Sequence, residues 1–235
     1  MSESSEALQA VMTWLAQAAG HRQRTGRPFV TLSYAQSLDG CITDRPGQPL
    51  ALSGEAAMRL THQLRAAHDA ILVGRGTVLT DNPRLCVRLV EGRDPQPVIL
   101  DSHLHFPLEA NLITQRALPP WIAATDQADQ EKQLALEAAG ARILRLPAGD
   151  DGRVSLPALL NRLGELGINS LMVEGGARVI TSFLAERLVD GLVLTIAPVF
   201  VGGLHAVGRL AHIPRLRNMR HQQLGDDLIV WGDGA

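Results

Sequence analysis

The run Val173-Glu174-Gly175-Gly176-Ala177 has the residue types of a phosphate-binding turn. The apolar residues before it predict a buried strand, and the apolar spacing after it predicts one face of a helix. Adjacent glycines let the backbone turn sharply and let an anion approach the main chain, because they have no Cβ. The start of the helix adds free N–H groups and the positive end of the helix dipole. An ordinary strand-to-helix turn stays the alternative, because two glycines are a weaker signal than the full dinucleotide-binding motif.

Glu174 is the ionisable residue of this run. It stands at the carboxyl end of a predicted strand, which is where open α/β sheets usually bind ligands. A carboxylate in that position can accept hydrogen bonds from O–H or N–H groups of a ligand. The alternative for Glu174 is a solvated side chain without a ligand.

The histidines and cysteines predict no metal site. His62, His68, His103 and His105 have no carboxylate or cysteine at ligand spacing, so structural or solvated roles are favoured. The chain has 2 cysteines, which cannot form a disulfide framework or a cysteine-rich zinc site. A reducing cytoplasm is therefore the expected location.

Composition indicates a folded, soluble protein. The chain has 235 residues, of which 46% are hydrophobic and 20% are charged. A formal charge of −2 gives no general attraction to nucleic acid or to an anionic membrane. The first residues lack the pattern of a signal peptide, and no apolar stretch is long enough to cross a bilayer. We therefore expect no nucleic-acid partner and no membrane association.

The elements that must position the turn alternate between strands and helices. Strands are predicted at 28–35, 69–74, 85–89, 97–101, 121–124, 142–146, 169–172, 192–199 and near 228–231. Helices are predicted around 8–15, after a cap at Ser53, at 131–139 and 156–166, and after residue 177, with a short helical piece following Gly74.

This alternation predicts an α/β fold with three layers, in which helices cover both faces of a mostly parallel, mixed sheet. The last two predicted strands have no helix between them, which predicts an antiparallel edge. We predict a single domain at 28–235. An N-terminal helix and a polar linker, ending at residue 27, precede it.

Four stretches occur together in one order. They are 37–40 (Ser-Leu-Asp-Gly), 64–74, 76–85 and 173–176. In this combination the sequence resembles the pyrimidine reductase of riboflavin biosynthesis, from about Pro28 to the carboxyl end. The resemblance implies a dihydrofolate-reductase-like fold, NADPH as the cofactor and a homodimer. It also implies the reaction, which is reduction of the ribosyl group of a 5-phosphoribosylamino-pyrimidine to a ribityl group.

The resemblance implies roles for individual residues. The implied cofactor contacts are Thr77, Asp81 and, as a weaker match, Ser102. The turn predicted to hold the cofactor phosphates comprises Gly175, Gly176, Ala177, Arg178 and Val179. The implied contacts to the phosphorylated pyrimidine substrate are Arg65, Leu85, Arg88 and Glu174.

Chemistry by residue type agrees with these roles but leaves alternatives open. Two arginines near a strand end suit a phosphorylated ribose, whereas surface ion pairs are the favoured interpretation of Arg65 and Arg88 without the resemblance. Glu174 is the predicted catalytic residue. Water is the alternative source of the proton that accompanies hydride transfer.

The sequence also departs from the family pattern. Many members have a lysine where Ser33 stands and a basic residue where Cys41 stands. Some bacterial members have a serine and a tryptophan in the stretch that corresponds to 49–51, which ends at Ala51 here. Two alternatives follow: a reductase of the same fold that acts on another heterocycle, or a nucleotide-binding dimer without turnover. A dihydrofolate site usually needs a more aromatic pocket than a chain with 3% aromatic residues suggests.

The deaminase that is often fused to this reductase has a distinct sequence signature. It needs a His-x-Glu motif and a Pro-Cys-x-x-Cys motif to hold its zinc. Neither motif occurs in the printed sequence. We therefore expect no deaminase activity from this chain.

Overall fold

The computed structural model describes residues 5–115 and 118–234. Its helices are α1 (Glu6–Leu15), α2 (Ala18–Thr25), α3 (Glu55–Ala67), α4 (Arg75–Asp81), α5 (Asn111–Thr114), α6 (Gln130–Ala138), α7 (Leu156–Glu165) and α8 (Ala177–Ala185). Its strands are β1 (Phe29–Ser37), β2 (Cys41–Thr43), β3 (Ala70–Gly74), β4 (Gln96–Leu100), β5 (Trp121–Thr125), β6 (Arg142–Leu146), β7 (Ser170–Val173), β8 (Gly191–Ala197), β9 (Leu204–His205), β10 (Arg217–Leu224) and β11 (Asp227–Asp233).

In the described residues, the main sheet has nine strands in the order β10-β11-β8-β1-β7-β3-β4-β5-β6. All neighbours from β8 to β6 are parallel. β11 is antiparallel to both of its neighbours, β8 and β10. The predicted mixed sheet with an antiparallel edge is therefore confirmed. A small separate ladder joins β2 to β9.

Alternating side chains bury both faces of the sheet. In β3, Ala70 and Leu72 belong to a core with α7 and α8, whereas Ile71 and Val73 belong to a core with α4 and α6. A third core packs α1 and α3 against the face that includes Met172 of β7. Because successive strand residues point to opposite faces, a run of apolar residues is needed where both faces are covered. Helices on both faces are therefore confirmed.

The segment predicted as a polar linker is mostly helical. Helix α2 continues to Thr25 and ends where Gly26 adopts a φ of 77°, a left-handed conformation typical of a helix end. The Arg22 side chain donates hydrogen bonds to the Asn169 side chain and to the Gly164 carbonyl. Arg22 therefore fixes α2 to the 164–169 segment, whereas Gln23, Arg24 and Thr25 of the same helix are exposed. The domain boundary at residue 27 stays a prediction.

The strand predicted at 85–89 is wrong, because this segment has no ladder partner in the described chain. Leu85 is buried and has a φ of 50°, which breaks an extended conformation. The N–H of Val87 donates to the Asp94 side chain, and the N–H of Arg88 donates to Nδ1 of His62. Side chains therefore take the hydrogen bonds that a neighbouring strand would have supplied.

Two further predictions need correction. Helix α3 begins after Gly54 rather than after Ser53, and it has no side-chain cap. The Gly54 N–H instead donates to Asp227. Strand β10 was not predicted, because its residues are mostly polar and exposed and show no apolar alternation. In the described residues, no helix is long and apolar enough to cross a membrane.

Candidate functional site

A cleft opens at the carboxyl edge of the sheet because β1 is longer than β7. The β1–β7 pairing ends at Leu32 and Val173, while β1 continues to Ser37 beside β8 alone. Beyond Val173, no strand of the described chain fills the gap. The cleft has a volume of about 1410 Å³. Single small-molecule pockets are typically about 300–1,000 Å³, so this cleft has room for two ligands side by side.

Glu174 lies in this gap and forms a bidentate ion pair with Arg65 of α3. Nε and Nη2 of Arg65 each lie 2.7 Å from one carboxylate oxygen. The two side chains are only 11% and 13% exposed. Nη1 of Arg65 also donates to the Cys86 carbonyl. Arg65 is therefore already engaged by protein acceptors, and its main role in this geometry is to hold the Glu174 carboxylate.

The predicted glycine turn and the start of α8 line the same cleft. Gly176 is the residue before the first turn of α8, and no side chain caps that helix end. In the described chain, the N–H groups from Gly175 to Val179 make no hydrogen bond to a protein acceptor. These groups and the helix dipole form the type of anion site expected from the sequence.

The absence of a side chain has a different structural reason at each of the two glycines. A Cβ on Gly175 would lie 2.5 Å from Cβ of Val179, so a side chain there collides with α8. A Cβ on Gly176 would meet only Oγ1 of Thr77, at 3.6 Å, which is an ordinary contact. Neither glycine has a positive φ. Gly175 therefore allows close packing, whereas Gly176 keeps the mouth of the anion site open.

This difference gives a test of stability. We expect Gly175→Ala to lower the free energy of unfolding by about 1–3 kcal/mol, because the new methyl group forces α8 to shift. We expect Gly176→Ala to change it by less than about 1 kcal/mol. Urea unfolding of the two variants beside the unmodified protein measures both values. Equal destabilisation by the two substitutions would contradict this account of the turn.

Thr77, Asp81 and Ser102 all line the cleft on the side of α4 and β4. Thr77 is next to Gly176, as the 3.6 Å distance indicates. The Ser102 hydroxyl accepts a hydrogen bond from the N–H of Val154 and so ties the 149–157 loop to the end of β4. The three predicted cofactor residues therefore line the same cleft as the start of α8, and Thr77 is the one that lies beside it.

Two predicted substrate residues lie outside the cleft lining of the described chain. Leu85 is 2% exposed and packs in the core with Ile71 and Val78. The Arg88 side chain is exposed, and its backbone N–H donates to His62. Their contact with substrate stays a prediction. The family motif marked both positions, but it does not specify whether backbone or side chain serves a ligand.

The Asp39 side chain, in the 37–40 stretch, anchors a distant loop. The Asp39 carboxylate accepts hydrogen bonds from the Ser37 hydroxyl and from the N–H groups of Val201 and Gly202. These bonds, that from Ser37 foremost, hold the pKa of Asp39 well below its ordinary value. The adjoining β2–β9 ladder contributes Thr43 to the cleft lining. Asp39 therefore fixes one wall of the site, a role that the sequence did not suggest.

Arg75, Asp101 and Tyr34 line the cleft but were not identified from the sequence. Asp101 directly precedes Ser102 at the end of β4, so its position at a strand end was the available signal. Arg75 directly follows β3 in the same way. Tyr34 belongs to the part of β1 that extends past β7, and this extension is a tertiary feature.

His62 of α3 and His68, the residue that directly follows α3, are both completely buried. Nδ1 of His68 lies 2.7 Å from the Leu64 carbonyl, which only accepts, so Nε2 accepts from the Thr31 hydroxyl at 2.9 Å. Burial lowers the pKa of each histidine from 6.5 to about 4. Both side chains are therefore neutral in the folded protein near pH 7.

These two histidines predict a loss of stability in mild acid. As the pH falls below 6.5, the unfolded chain binds protons that the folded chain does not, until about pH 4. We expect the free energy of unfolding to fall through this window by up to about 1.4 kcal/mol per pH unit for each histidine. Urea unfolding at pH 7, 6 and 5 measures the slope, and His68→Gln should reduce it. A slope that the substitution leaves unchanged would contradict the assignment.

Fold and site together define a class of protein. An open, mostly parallel sheet with a glycine turn and a free helix start at its carboxyl edge is typical of α/β proteins that bind phosphorylated nucleotides. The sequence matches the RibD C-terminal domain family over residues 28–230. The chain belongs to that family.

Curated relatives carry two kinds of name. The 2,5-diamino-6-ribosylamino-4(3H)-pyrimidinone 5′-phosphate reductase of Methanothermobacter thermautotrophicus is 38% identical over 215 residues, which are 87% of this chain and 97% of that protein. The riboflavin biosynthesis protein RibD of Bacillus amyloliquefaciens is 37% identical over 217 residues, which are 88% of this chain. The chain spans only 58% of that longer relative.

Solved structures agree with the family. The chain is similar to the riboflavin biosynthesis reductase Rib7 of Saccharomyces cerevisiae, with a TM-score of 0.76, 30% identity, and coverage of 96% of this chain and 99% of that one. It is also similar to a dihydrofolate reductase from Enterococcus faecalis complexed with NADP(H), with a TM-score of 0.51, 12% identity, and coverage of 89% and 97%. Identity this low bears on the fold alone, and the predicted dihydrofolate-reductase-like fold is confirmed.

Proposed function

We propose that this chain is an NADPH-dependent reductase that converts the ribosyl group of a 5-phosphoribosylamino-pyrimidine to a ribityl group. The observation that carries the proposal is the adjacency of two features in one cleft. The buried Glu174–Arg65 pair lies one residue from a glycine turn whose N–H groups are free. A site for hydride transfer needs a cofactor and an acceptor held side by side, and the names of the relatives support this choice of acceptor.

The residues of the cleft fit a phosphorylated dinucleotide. The free N–H groups at the start of α8 suit a pyrophosphate. Gly176 has no side chain that would obstruct the approach of the phosphates to these groups. Thr77 is close enough to Gly176 to donate its hydroxyl to the same group. When bound, the cofactor supplies the hydride. The protein contributes position and electrostatics.

On the substrate side, Glu174 holds the opened sugar. Reduction adds a hydride to the electrophilic C1′ of the ring-opened imine and a proton to the nitrogen, so that C–H and N–H bonds form as the C=N double bond becomes single. Each Glu174 oxygen already accepts one hydrogen bond from Arg65 and has capacity for another, from a ribose hydroxyl or a ring N–H. We therefore assign Glu174 to positioning of the substrate and assign the proton to water.

The proposal also includes a homodimer. The exposed apolar side chains Phe200, Ile213 and Met219 are 80%, 89% and 64% exposed, which suits contact with a second copy in a homodimer. Sedimentation analysis tests this part.

We also place the reaction in the cytoplasm, where both free cysteines stay reduced.

The experiment that tests the function is NADPH oxidation followed by absorbance, with the amino and the deaminated pyrimidine phosphates offered separately. Formation of the ribityl product from either one supports the proposal and identifies the preferred pyrimidine. Ser33 and Ala51, where the sequence departs from the family, both line the cleft. Turnover of another heterocycle, or tight NADPH binding without turnover, would favour one of the two alternatives and overturn the proposal.

A further inference from the structure

Three side chains on one face of α3 bond to the backbone of the segment 86–89. In the order of the segment, the bonds are Nη1 of Arg65 to the Cys86 carbonyl at 3.3 Å, the Arg88 N–H to Nδ1 of His62 at 3.1 Å, and Nη1 of Arg59 to the Leu89 carbonyl at 3.0 Å. Six residues of helix rise about 9 Å, and three residues of extended chain span about 10 Å. The helix face therefore matches the segment in spacing, and we call the three bonds the α3 clamp.

The α3 clamp is joined directly to the cleft. Its inner member, Arg65, uses Nε and Nη2 to hold Glu174 and Nη1 to hold Cys86. Where the chain returns after the segment, a Cβ on Gly92 would lie 2.5 Å from Cβ of Ala66, so the backbone lies directly against α3. A shift of the segment along α3 would therefore break a bond of the same guanidinium group that orients the Glu174 carboxylate.

His62 is the completely buried member of the α3 clamp. Burial foremost, and then the charges of Arg65 and Arg88, lower the pKa of His62 to about 4, so the ring is neutral near pH 7. Because Nδ1 accepts from the Arg88 N–H, the ring proton lies on Nε2. Nε2 has no hydrogen-bond partner in the part of the chain that the structure describes. His68, which is equally buried, bonds through both of its nitrogens.

This unpartnered nitrogen indicates what the His62 ring is for. A buried donor without a partner is unfavourable, so an apolar side chain of similar size would suit the position better if the ring only filled space. The property that histidine has and leucine lacks is the acceptor for the Arg88 N–H. The contribution of His62 therefore lies in that one hydrogen bond.

We propose that His62 is a positioning residue for the pyrimidine substrate, because the α3 clamp that it completes fixes both Arg88 and the Arg65–Glu174 pair. This inference rests on the proposed function. His62 is not among the described residues that line the cleft, so it acts through Arg88 and touches no ligand itself. Its loss should weaken the binding of substrate and spare the binding of NADPH.

A pair of substitutions at His62 tests the role of the acceptor. His62→Leu removes it, whereas His62→Asn restores it, because Oδ1 of asparagine is as many bonds from the backbone as Nδ1 of histidine. We expect His62→Leu to raise KM for the pyrimidine phosphate about 5- to 30-fold, with kcat and NADPH affinity within about threefold of the unmodified protein. His62→Asn should bring KM back to within about threefold. Equal KM values for the two variants, or an unchanged KM in His62→Leu, would overturn the proposal.

His68→Leu is the matched control, because it also replaces a buried neutral histidine beside α3 but touches no part of the segment 86–89. It should lower the melting temperature, as His62→Leu does, and leave KM unchanged. A rise in KM as large as that of His62→Leu would assign the effect to general destabilisation and overturn the proposal.

Hydrogen–deuterium exchange of peptides that cover 86–89, measured without ligand, tests the α3 clamp separately from turnover. His62→Leu should accelerate exchange at least about tenfold, and His62→Asn should slow it again. If His62→Leu does not fold, Arg59→Ala decides, since Arg59 is exposed. It should accelerate exchange and raise KM about 2- to 5-fold, and no change in either would overturn the proposal.

The two readouts distinguish the failure of this inference from the failure of the proposed function. If the exchange rates respond as expected but the unmodified protein reduces no pyrimidine phosphate, the proposed function fails while the α3 clamp stands. If pyrimidine phosphate is reduced and folded His62→Leu keeps the KM of the unmodified protein, the inference fails while the function stands.

Discussion

Arg65→Ala is expected to lower the free energy of unfolding by about 3 kcal/mol and to weaken substrate binding far more than NADPH binding. The substitution leaves Glu174, which is 13% exposed, as an uncompensated carboxylate inside the cleft. Removal of one member of a buried ion pair typically costs about 3–5 kcal/mol, and the residual exposure of Glu174 favours the lower end. Urea unfolding measures the first effect, and separate titrations with substrate and with NADPH measure the second.

Glu174→Gln and Arg88→Ala serve as controls for this result. Glu174→Gln keeps the shape but removes the charge, so it should leave NADPH binding nearly intact and reduce turnover or substrate affinity. If Arg88 contacts the substrate phosphate, Arg88→Ala should cost about 1.5–3 kcal/mol of substrate affinity without loss of stability, because its side chain is exposed. A folded Arg65→Ala protein with unchanged substrate affinity would remove Arg65 and Glu174 from the substrate site.

Gly176→Val is expected to weaken NADPH binding by at least about 2 kcal/mol while the protein stays folded. A Cβ at this position has room, since its nearest neighbour would be the Thr77 hydroxyl at 3.6 Å. The two methyl groups of valine extend further, toward the free N–H groups that the phosphates need. The binding loss follows from several charge-assisted hydrogen bonds being blocked together. Quenching or enhancement of NADPH fluorescence on titration gives the affinity.

Gly176→Ala is the matched control, because it adds a Cβ without the branch. It should retain most of the affinity that the valine variant loses. Normal NADPH binding by a folded Gly176→Val protein would exclude the glycine turn as the phosphate site. A cofactor found bound more than the length of a side chain from this turn would do the same.

The two substitutions test the proposed cofactor half and the proposed substrate half of the site separately. Glu174 and Gly176 are two residues apart. The Glu174 side chain faces Arg65, whereas a side chain added at Gly176 would face Thr77. A change at one position should therefore alter one ligand and spare the other. The proposed function requires this separation, because it places the cofactor and the substrate at one strand end.

The sequence by itself determined the layers of the fold. Apolar runs such as Ala70–Gly74 and periodic helices such as α8 predicted a mostly parallel sheet covered on both faces, because buried strands and amphipathic helices carry strong local patterns. Where the pattern was weak, prediction failed. Strand β10 is polar and was missed, and the segment at 85–89 looked like a strand although its N–H groups bond to side chains.

The sequence also identified the parts of the site that lie in one local motif. Glu174, the glycine turn and the start of α8 are consecutive, so their spacing suits a phosphate-binding turn as well as an ordinary strand-to-helix turn, and the family resemblance supplies their predicted roles. The tertiary structure decided which distant residues meet them. It paired Arg65 with Glu174 across 109 positions of sequence, left Oδ2 of Asp101 unsatisfied beside Arg75, and opened the cleft by extending β1 past β7. Strand register and strand length set these contacts through long-range pairing. A local sequence pattern does not specify which distant strand it will pair with.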